Sequence, residues 1–143
     1  MRLPNLVPVP GVKLGLANIV TVFAVYHYRA GEAAMIVFCR VVLGAFFGGS
    51  ILTLLYSLAG ALLCLAGMLL LKRVIPEQQL WLCSAFGAVF HNLGQMAVAC
   101  LMAGPGMLAY LPFLLAAGCI AGAFTGGCAQ LILRRSRRKK RWI

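Results

Sequence analysis

The residue whose type and position first suggest chemistry is Arg40, which lies in the middle of an apolar stretch. An arginine at the centre of a membrane helix costs about 2.5–3.5 kcal/mol on insertion scales, so its guanidinium should face protein rather than lipid. The carboxylate of Glu32 is eight residues earlier, which is about 12 Å along a helix. An unpaired interior cation predicts either an anionic ligand or a structural hydrogen bond to backbone carbonyls or to polar groups of another span.

A second polar feature is the sequence HNLGQ, which contains His91, Asn92 and Gln95. At 100° per residue these three side chains share one helix face near mid-span. They offer amide donors and acceptors and one imidazole. They either line a polar cavity or bind neighbouring helices through hydrogen bonds worth about 0.6–2 kcal/mol. One histidine without a carboxylate or serine partner is a poor catalytic unit, so no catalytic residue is predicted.

Three further polar residues complete the predicted substrate-binding set. Lys13 and Asn18 are expected at the outer mouth of the protein. There Lys13 either attracts an anionic solute or extends its amine to the membrane interface. Tyr56 lies in the outer part of the third apolar stretch, where an interfacial or packing role is favoured over ligand contact.

The composition argues against metal-dependent catalysis. The only acidic residues are Glu32 and Glu77, and there is no aspartate, so the chain lacks the carboxylates that hold Mg²⁺ on a diphosphate or in an ATPase site. The six cysteines lie in apolar stretches without metal-ligand spacing and are predicted to be packing residues. We therefore expect a protein that is not an enzyme and holds no metal or cofactor.

The elements that must position these residues are membrane helices. Of the 143 residues, 63% are hydrophobic and 10% are charged, against about half and a quarter in soluble domains. Five apolar stretches are each near the roughly 17–25 residues that cross a bilayer as a helix. They cover about residues 11–28, 30–47, 51–71, 80–103 and 107–133. The predicted fold class is an all-α polytopic membrane bundle.

The positive charges predict the orientation of this bundle. Seven of the thirteen Lys and Arg residues lie in the last ten residues, 134–143. The positive-inside rule places this tail in the cytoplasm, together with the loops that carry Arg29 and Lys72. Residues 1–133 are then one membrane domain. The tail directly follows an apolar helix, which favours a topological anchor with some lipid contact over a nucleic-acid site.

Small residues predict one tight helix contact. Gly118, Gly122 and Gly126 repeat every four residues and form a GxxxGxxxG face that allows close approach of another helix. The sequence leaves open whether that helix belongs to this chain or to another one.

Three segments together resemble one family: PGVKLGLANIV at 10–20, LLYSLAGALL at 54–63 and HNLGQ at 91–95. The chain is similar over about residues 8–133 to the Gx transporter family, also called heptaprenyl diphosphate synthase component I. That family in turn resembles the substrate-binding S components of energy-coupling factor (ECF) transporters. The resemblance implies six helices in a bacterial cell membrane, of which this sequence supplies five, because the helix expected ahead of residue 10 is missing.

The resemblance also implies a solute site near the outer side, energised by a scaffold subunit and two cytoplasmic ATPases. The positions that match the family's motifs are Lys13, Asn18, Arg40, Tyr56, His91, Asn92 and Gln95. We therefore expect an S-component-like subunit for a small anionic or polar-headed solute. The alternatives are a non-catalytic membrane component of polyprenyl diphosphate synthesis, and a small structural protein whose polar residues only hold helices together.

Overall fold

The computed structural model describes residues 10–48 and 51–140, without the side chains of 10–17, Gly48 and Thr53. The described residues form helices and turns and contain no strand, which confirms the all-α prediction. Five α-helices are present in these ranges: α1 Pro10–His27, α2 Ala30–Gly48, α3 Ile51–Leu71, α4 Leu80–Ala103 and α5 Leu111–Lys140. Short 3₁₀ helices at Glu77–Gln79 and Pro105–Tyr110 lead into α4 and α5.

Within the described residues, four helical segments are long and apolar enough to cross a membrane, as a multi-pass protein requires. They are Ala30–Phe47, Leu54–Leu71, Glu77–Ala103 and Pro105–Lys140. The described apolar part of α1, Asn18–His27, is shorter. Large apolar side chains such as Phe46, Phe47 and Leu101 are more than 80% exposed, which suits contact with lipid tails rather than water.

The fifth helix differs from its predicted range at both ends. It begins at Leu111 rather than residue 107, because Gly104, which has a φ of 93°, starts a turn that continues as the 3₁₀ helix Pro105–Tyr110. It also continues beyond residue 133 to Lys140. The first seven residues of the predicted tail are therefore a helical extension of the last span.

Helix α4 is the centre of the bundle and packs against both α3 and α5. Helix α1 lies against α5 and α4, and α2 reaches only α1 and α3 among the larger contacts. The largest fully buried apolar side chains come from α1, α3 and α4, and include Val22, Met68, Leu80 and Cys83. This order places α2, with Arg40, on the side of α3.

The predicted glycine face packs within this chain. A Cβ atom on Gly122 would lie 2.8 Å from the carbonyl oxygen of Ser84. One on Gly118 would meet the amide of Asn92, and one on Gly126 would lie 2.6 Å from the Cα atom of Trp81. The structure thus answers the question that the sequence left open: the partner is α4.

A second glycine contact, between α3 and α4, was not predicted. Gly60 and Gly67 are seven residues apart on α3, and Gly87 and Gly94 are seven apart on α4. A Cβ on Gly94 would lie 2.8 Å from the Cα of Gly60, and one on Gly67 would meet the ring of Phe90. A seven-residue spacing keeps small residues in the seam of two slightly crossed helices. This spacing was the signal that could have revealed the contact.

The loops define two ends of the bundle. At the basic end, Lys72 donates from Nζ to the carbonyl of Val25 in the last turn of α1, at 2.5 Å, where a cation complements the helix dipole. Arg137 of α5 pairs with Glu77 through Nη2 and Oε2 at 2.5 Å. The other end, which contains Gly104 and its turn, is called the glycine-turn end below.

Candidate binding site

A cavity of about 410 Å³ opens at the glycine-turn end between α3, α4 and the start of α5. Two predicted site residues, Tyr56 and Gln95, line it. The remaining lining is apolar apart from one more tyrosine: Met96, Ala99, Met107, Tyr110, Phe113 and Leu114. The structure thus brings together two polar side chains from different helices at the edge of an apolar space.

The glycine contact between α3 and α4 is what allows Tyr56 and Gln95 to share this cavity. Tyr56 and Gly60 are four residues apart and lie on the same side of α3. The Cγ atom of Gln95 lies 3.0 Å from the place where a Cβ of Gly60 would stand. Because Gly60 has no side chain, Gln95 crosses the seam beside it and reaches the level of Tyr56.

His91 lies one turn deeper, at the same seam. Its ring atom Cε1 is 3.0 Å from the position of a Cβ on Gly60. Arg40 approaches from α2, and the Nε atom of its guanidinium is buried. The guanidinium therefore faces the protein, as the sequence predicts.

Arg40 has no carboxylate to neutralise it. Both acidic residues of the chain are at the basic end: Glu32 accepts a hydrogen bond from the backbone N–H of Arg29 at the start of α2, at 3.1 Å, and Glu77 pairs with Arg137. The Nε atom of Arg40 is buried without a hydrogen-bond partner. A buried donor left unsatisfied costs about 1–3 kcal/mol, and more when it belongs to a charged group. This cost is the structural reason to expect a further partner for Arg40.

Asn92 points away from His91 and Gln95. Its Nδ2 atom donates to the carbonyl of Leu114 in α5 at 2.7 Å, and its Oδ1 atom is buried without a partner. The HNLGQ sequence thus serves two interfaces: Asn92 joins α4 to α5, while the other two side chains face α3. Because Leu114 also lines the cavity, Asn92 supports the cavity wall from behind.

Asn18 does not lie at the mouth where the sequence placed it, and that prediction is wrong. Its side chain is 5% exposed, and its Nδ2 atom donates to the carbonyl and hydroxyl of Ser84 at 2.6 and 2.9 Å. Cys64 contacts its Oδ1 atom at 3.7 Å. These partners lie in the halves of α3 and α4 nearest the basic end, so Asn18 joins helices far from Tyr56. The side chain of Lys13 lies outside the described residues.

The family model for heptaprenyl diphosphate synthase component I matches residues 1–132, which is nearly the whole chain. The chain belongs to the heptaprenyl diphosphate synthase component I family. This match confirms the family resemblance seen in the sequence. Searches of curated proteins and of solved structures find no match.

In this member of the component I family, the described residues bring four polar side chains together at the cavity and one turn below it. They contain no group of three or more His, Cys, Asp or Glu side chains that could hold a metal ion. The polar groups lie in two layers: Tyr56 and Gln95 at the cavity, and His91 with Arg40 one turn deeper. This arrangement can hold the polar head of a ligand through hydrogen bonds and one positive charge.

Proposed function

We propose that this chain is a non-catalytic membrane subunit of polyprenyl diphosphate synthesis that binds a molecule with a polar head and an apolar body. The observation that carries this proposal is the cavity at the glycine-turn end, where Tyr56 and Gln95 stand at the edge of an otherwise largely apolar lining. Ligand sites are typically concave and apolar, with a few polar groups that fix orientation. The family name supports an isoprenoid as the ligand.

The shape and lining of the cavity suit a flexible hydrocarbon. Its volume of about 410 Å³ lies within the roughly 300–1,000 Å³ of small-molecule sites. Two of its wall residues, Met96 and Met107, have unbranched and polarisable side chains that adapt to irregular apolar shapes. An isoprenoid body would therefore lose little packing as it changes conformation.

The acidic residues support the non-catalytic role. Prenyl transfer to a diphosphate substrate needs carboxylates that hold Mg²⁺, and both glutamates of this chain are already engaged at the basic end. We propose that a separate soluble subunit supplies the metal site. The present chain would then hold the isoprenoid in the membrane next to that subunit.

Photo-crosslinking tests the binding part of this proposal. The detergent-purified protein is labelled with a benzophenone-bearing prenyl alcohol and digested for mass spectrometry. We expect labelled peptides from α4 and from Pro105–Leu114, and at least a fivefold loss of labelling in a Tyr56→Phe, Gln95→Leu double variant. A matched control is Leu101→Ala, which alters an α4 side chain that is 87% exposed and outside the cavity lining. Equal labelling of both variants would refute a site in this cavity.

Copurification tests the partnership. The tagged protein and its tagged double variant are each extracted from the native membrane, and the proteins that copurify with each are assayed for prenyl transfer. We expect a synthase whose product chain length changes when the cavity is altered. If no synthase is recovered, and adding the purified protein leaves the products of candidate synthases unchanged, the partnership is refuted.

An S-component-like role in ECF transport is the second candidate, and Arg40 is the observation that favours it. Ionisable groups inside membrane bundles commonly mark solute pathways, whereas a pure membrane anchor needs no unpaired interior cation. Such a subunit would bind an anionic or polar-headed solute and rely on a scaffold subunit and cytoplasmic ATPases for energy. ATP-dependent uptake into vesicles that contain all subunits, lost in an Arg40→Gln variant, would support transport over prenyl synthesis.

A further inference from the structure

The basic end carries a second concave surface, which the proposed function does not use. It is an open groove of about 800 Å³ on the last turns of α5. Its lining combines two apolar residues with four charged ones, and all four charged residues are arginines. The lining residues, called the arginine groove below, are Leu131, Ile132, Arg134, Arg135, Arg137 and Arg138.

The position of the arginine groove along α5 matches the edge of a bilayer. The outward face of this helix carries Phe113, Ile120, Phe124 and Leu131, each more than 60% exposed. From the first to the last of these residues the helix rises about 27 Å, close to the roughly 30 Å of a hydrocarbon core. At 100° per residue, Arg138 continues the same face. The face therefore changes from apolar to cationic at the depth where lipid head groups begin.

The charge of the groove is left largely uncompensated by this chain. Arg137 pairs with Glu77, which lies in the segment between α3 and α4. Glu32 accepts a hydrogen bond at the start of α2. Arg134, Arg135 and Arg138 thus have no side-chain carboxylate left to pair with in a sequence that contains two glutamates. Guanidinium groups bind phosphate oxygens in a bidentate fashion, which an ammonium cannot do.

We propose that the arginine groove binds the phosphate head group of an anionic phospholipid from the leaflet at the basic end. The phosphate would be held by the three uncompensated guanidiniums, and the first carbons of an acyl chain would lie on Leu131 and Ile132. This site is separate from the cavity near Tyr56, so lipid binding here does not depend on the function proposed for that cavity.

Native mass spectrometry of the full chain in detergent, titrated with phosphatidylglycerol or phosphatidylcholine, tests this proposal. We expect phosphatidylglycerol adducts at a concentration at least tenfold lower than phosphatidylcholine adducts. An Arg134→Gln, Arg138→Gln variant should weaken phosphatidylglycerol binding at least tenfold. A Lys139→Gln, Lys140→Gln variant removes the same charge from the same helix outside the groove, and should weaken binding less than threefold.

The control pair decides between a site and diffuse attraction. An equal loss in both variants would overturn the proposal, because net charge alone would then explain the binding. Retention of tight binding by the groove variant would also overturn it. Inorganic diphosphate is added as a competitor: displacement of the lipid at equal concentration would show that the groove recognises a soluble phosphate, against the proposal. A helical circular dichroism spectrum and an unchanged elution volume in size-exclusion chromatography confirm that each variant is folded.

Discussion

Replacing Gly122 by alanine should weaken the contact between α4 and α5. The new methyl group would stand 2.8 Å from the carbonyl oxygen of Ser84 and 2.9 Å from both the Cα of Ala85 and the Cβ of Ala88. Two of these three atoms are backbone, so the clash cannot be relieved by turning a flexible side chain. The helices would have to separate by about half an ångström to restore ordinary contact distances.

The expected loss in free energy of unfolding is about 1–3 kcal/mol, the usual cost of inserting a methyl group into a packed interior. Gly127→Ala is the matched control, because it lies on the same helix and an added Cβ there has nothing within 4 Å. The control should be neutral, or gain up to about 1 kcal/mol from the better helix propensity of alanine. Unfolding is measured by SDS titration in mixed micelles, followed by circular dichroism.

The comparison of the two glycine variants can refute the packing argument. If Gly122→Ala is as stable as Gly127→Ala, the α4–α5 contact does not depend on the absence of a side chain at this position. If both variants lose stability equally, the loss is caused by alanine in this helix in general rather than by the α4–α5 contact. Only a loss confined to Gly122→Ala supports the close approach described above.

Three further predictions concern polar groups. Asn18→Leu should lower the free energy of unfolding by about 1–2 kcal/mol, since the buried Ser84 loses its partner. SDS titration measures this loss, and a neutral result would show that the hydrogen bond between Asn18 and Ser84 is dispensable. Arg40→Met should raise the free energy of unfolding of the ligand-free protein by about 2 kcal/mol, because an unpaired interior charge is removed. The same variant should no longer bind the polar-headed ligand. A variant that is destabilised and still binds this ligand would contradict the prediction. Glu77→Gln should lower the free energy of unfolding by less than about 1 kcal/mol, since its partner Arg137 is 72% exposed. It should nevertheless speed amide hydrogen exchange in residues 134–140. Unchanged exchange would show that the ion pair does not stabilise this end of the helix.

The sequence predicts the helices of this protein well because its apolar runs are separated by glycine and proline turns. The bounds of α2, α3 and α4 agree with the predicted spans to within about one residue. The start of α5 was missed because the glycine and proline at 104–106 initiate a 3₁₀ helix instead of a loop. Its continuation to Lys140 does not follow from hydropathy, because a charged run marks the end of an apolar span, although lysine and arginine are good helix formers.

The candidate site was only partly predictable, because it depends on how helices are aligned with each other. Tyr56 and Gln95 were named from their type, but their meeting in one cavity follows from the close approach at Gly60. Asn18 was misplaced for the same reason: nothing local in α1 shows that it stands opposite Ser84. Residue type thus identified candidate polar groups, whereas the glycine seams determined which of them meet.

The cavity at the glycine-turn end has walls that differ in how closely they are packed. Its back is the seam of α3 and α4, where Gly60 and Gly94 bring two backbones into direct contact. Its front is the segment Pro105–Tyr110, which contains no buried residue. A bulkier occupant would displace this front segment at little cost, whereas a different head group would meet Tyr56 and Gln95 beside the close contact of the two backbones. The protein should therefore discriminate sharply between head groups and accept bodies of many lengths.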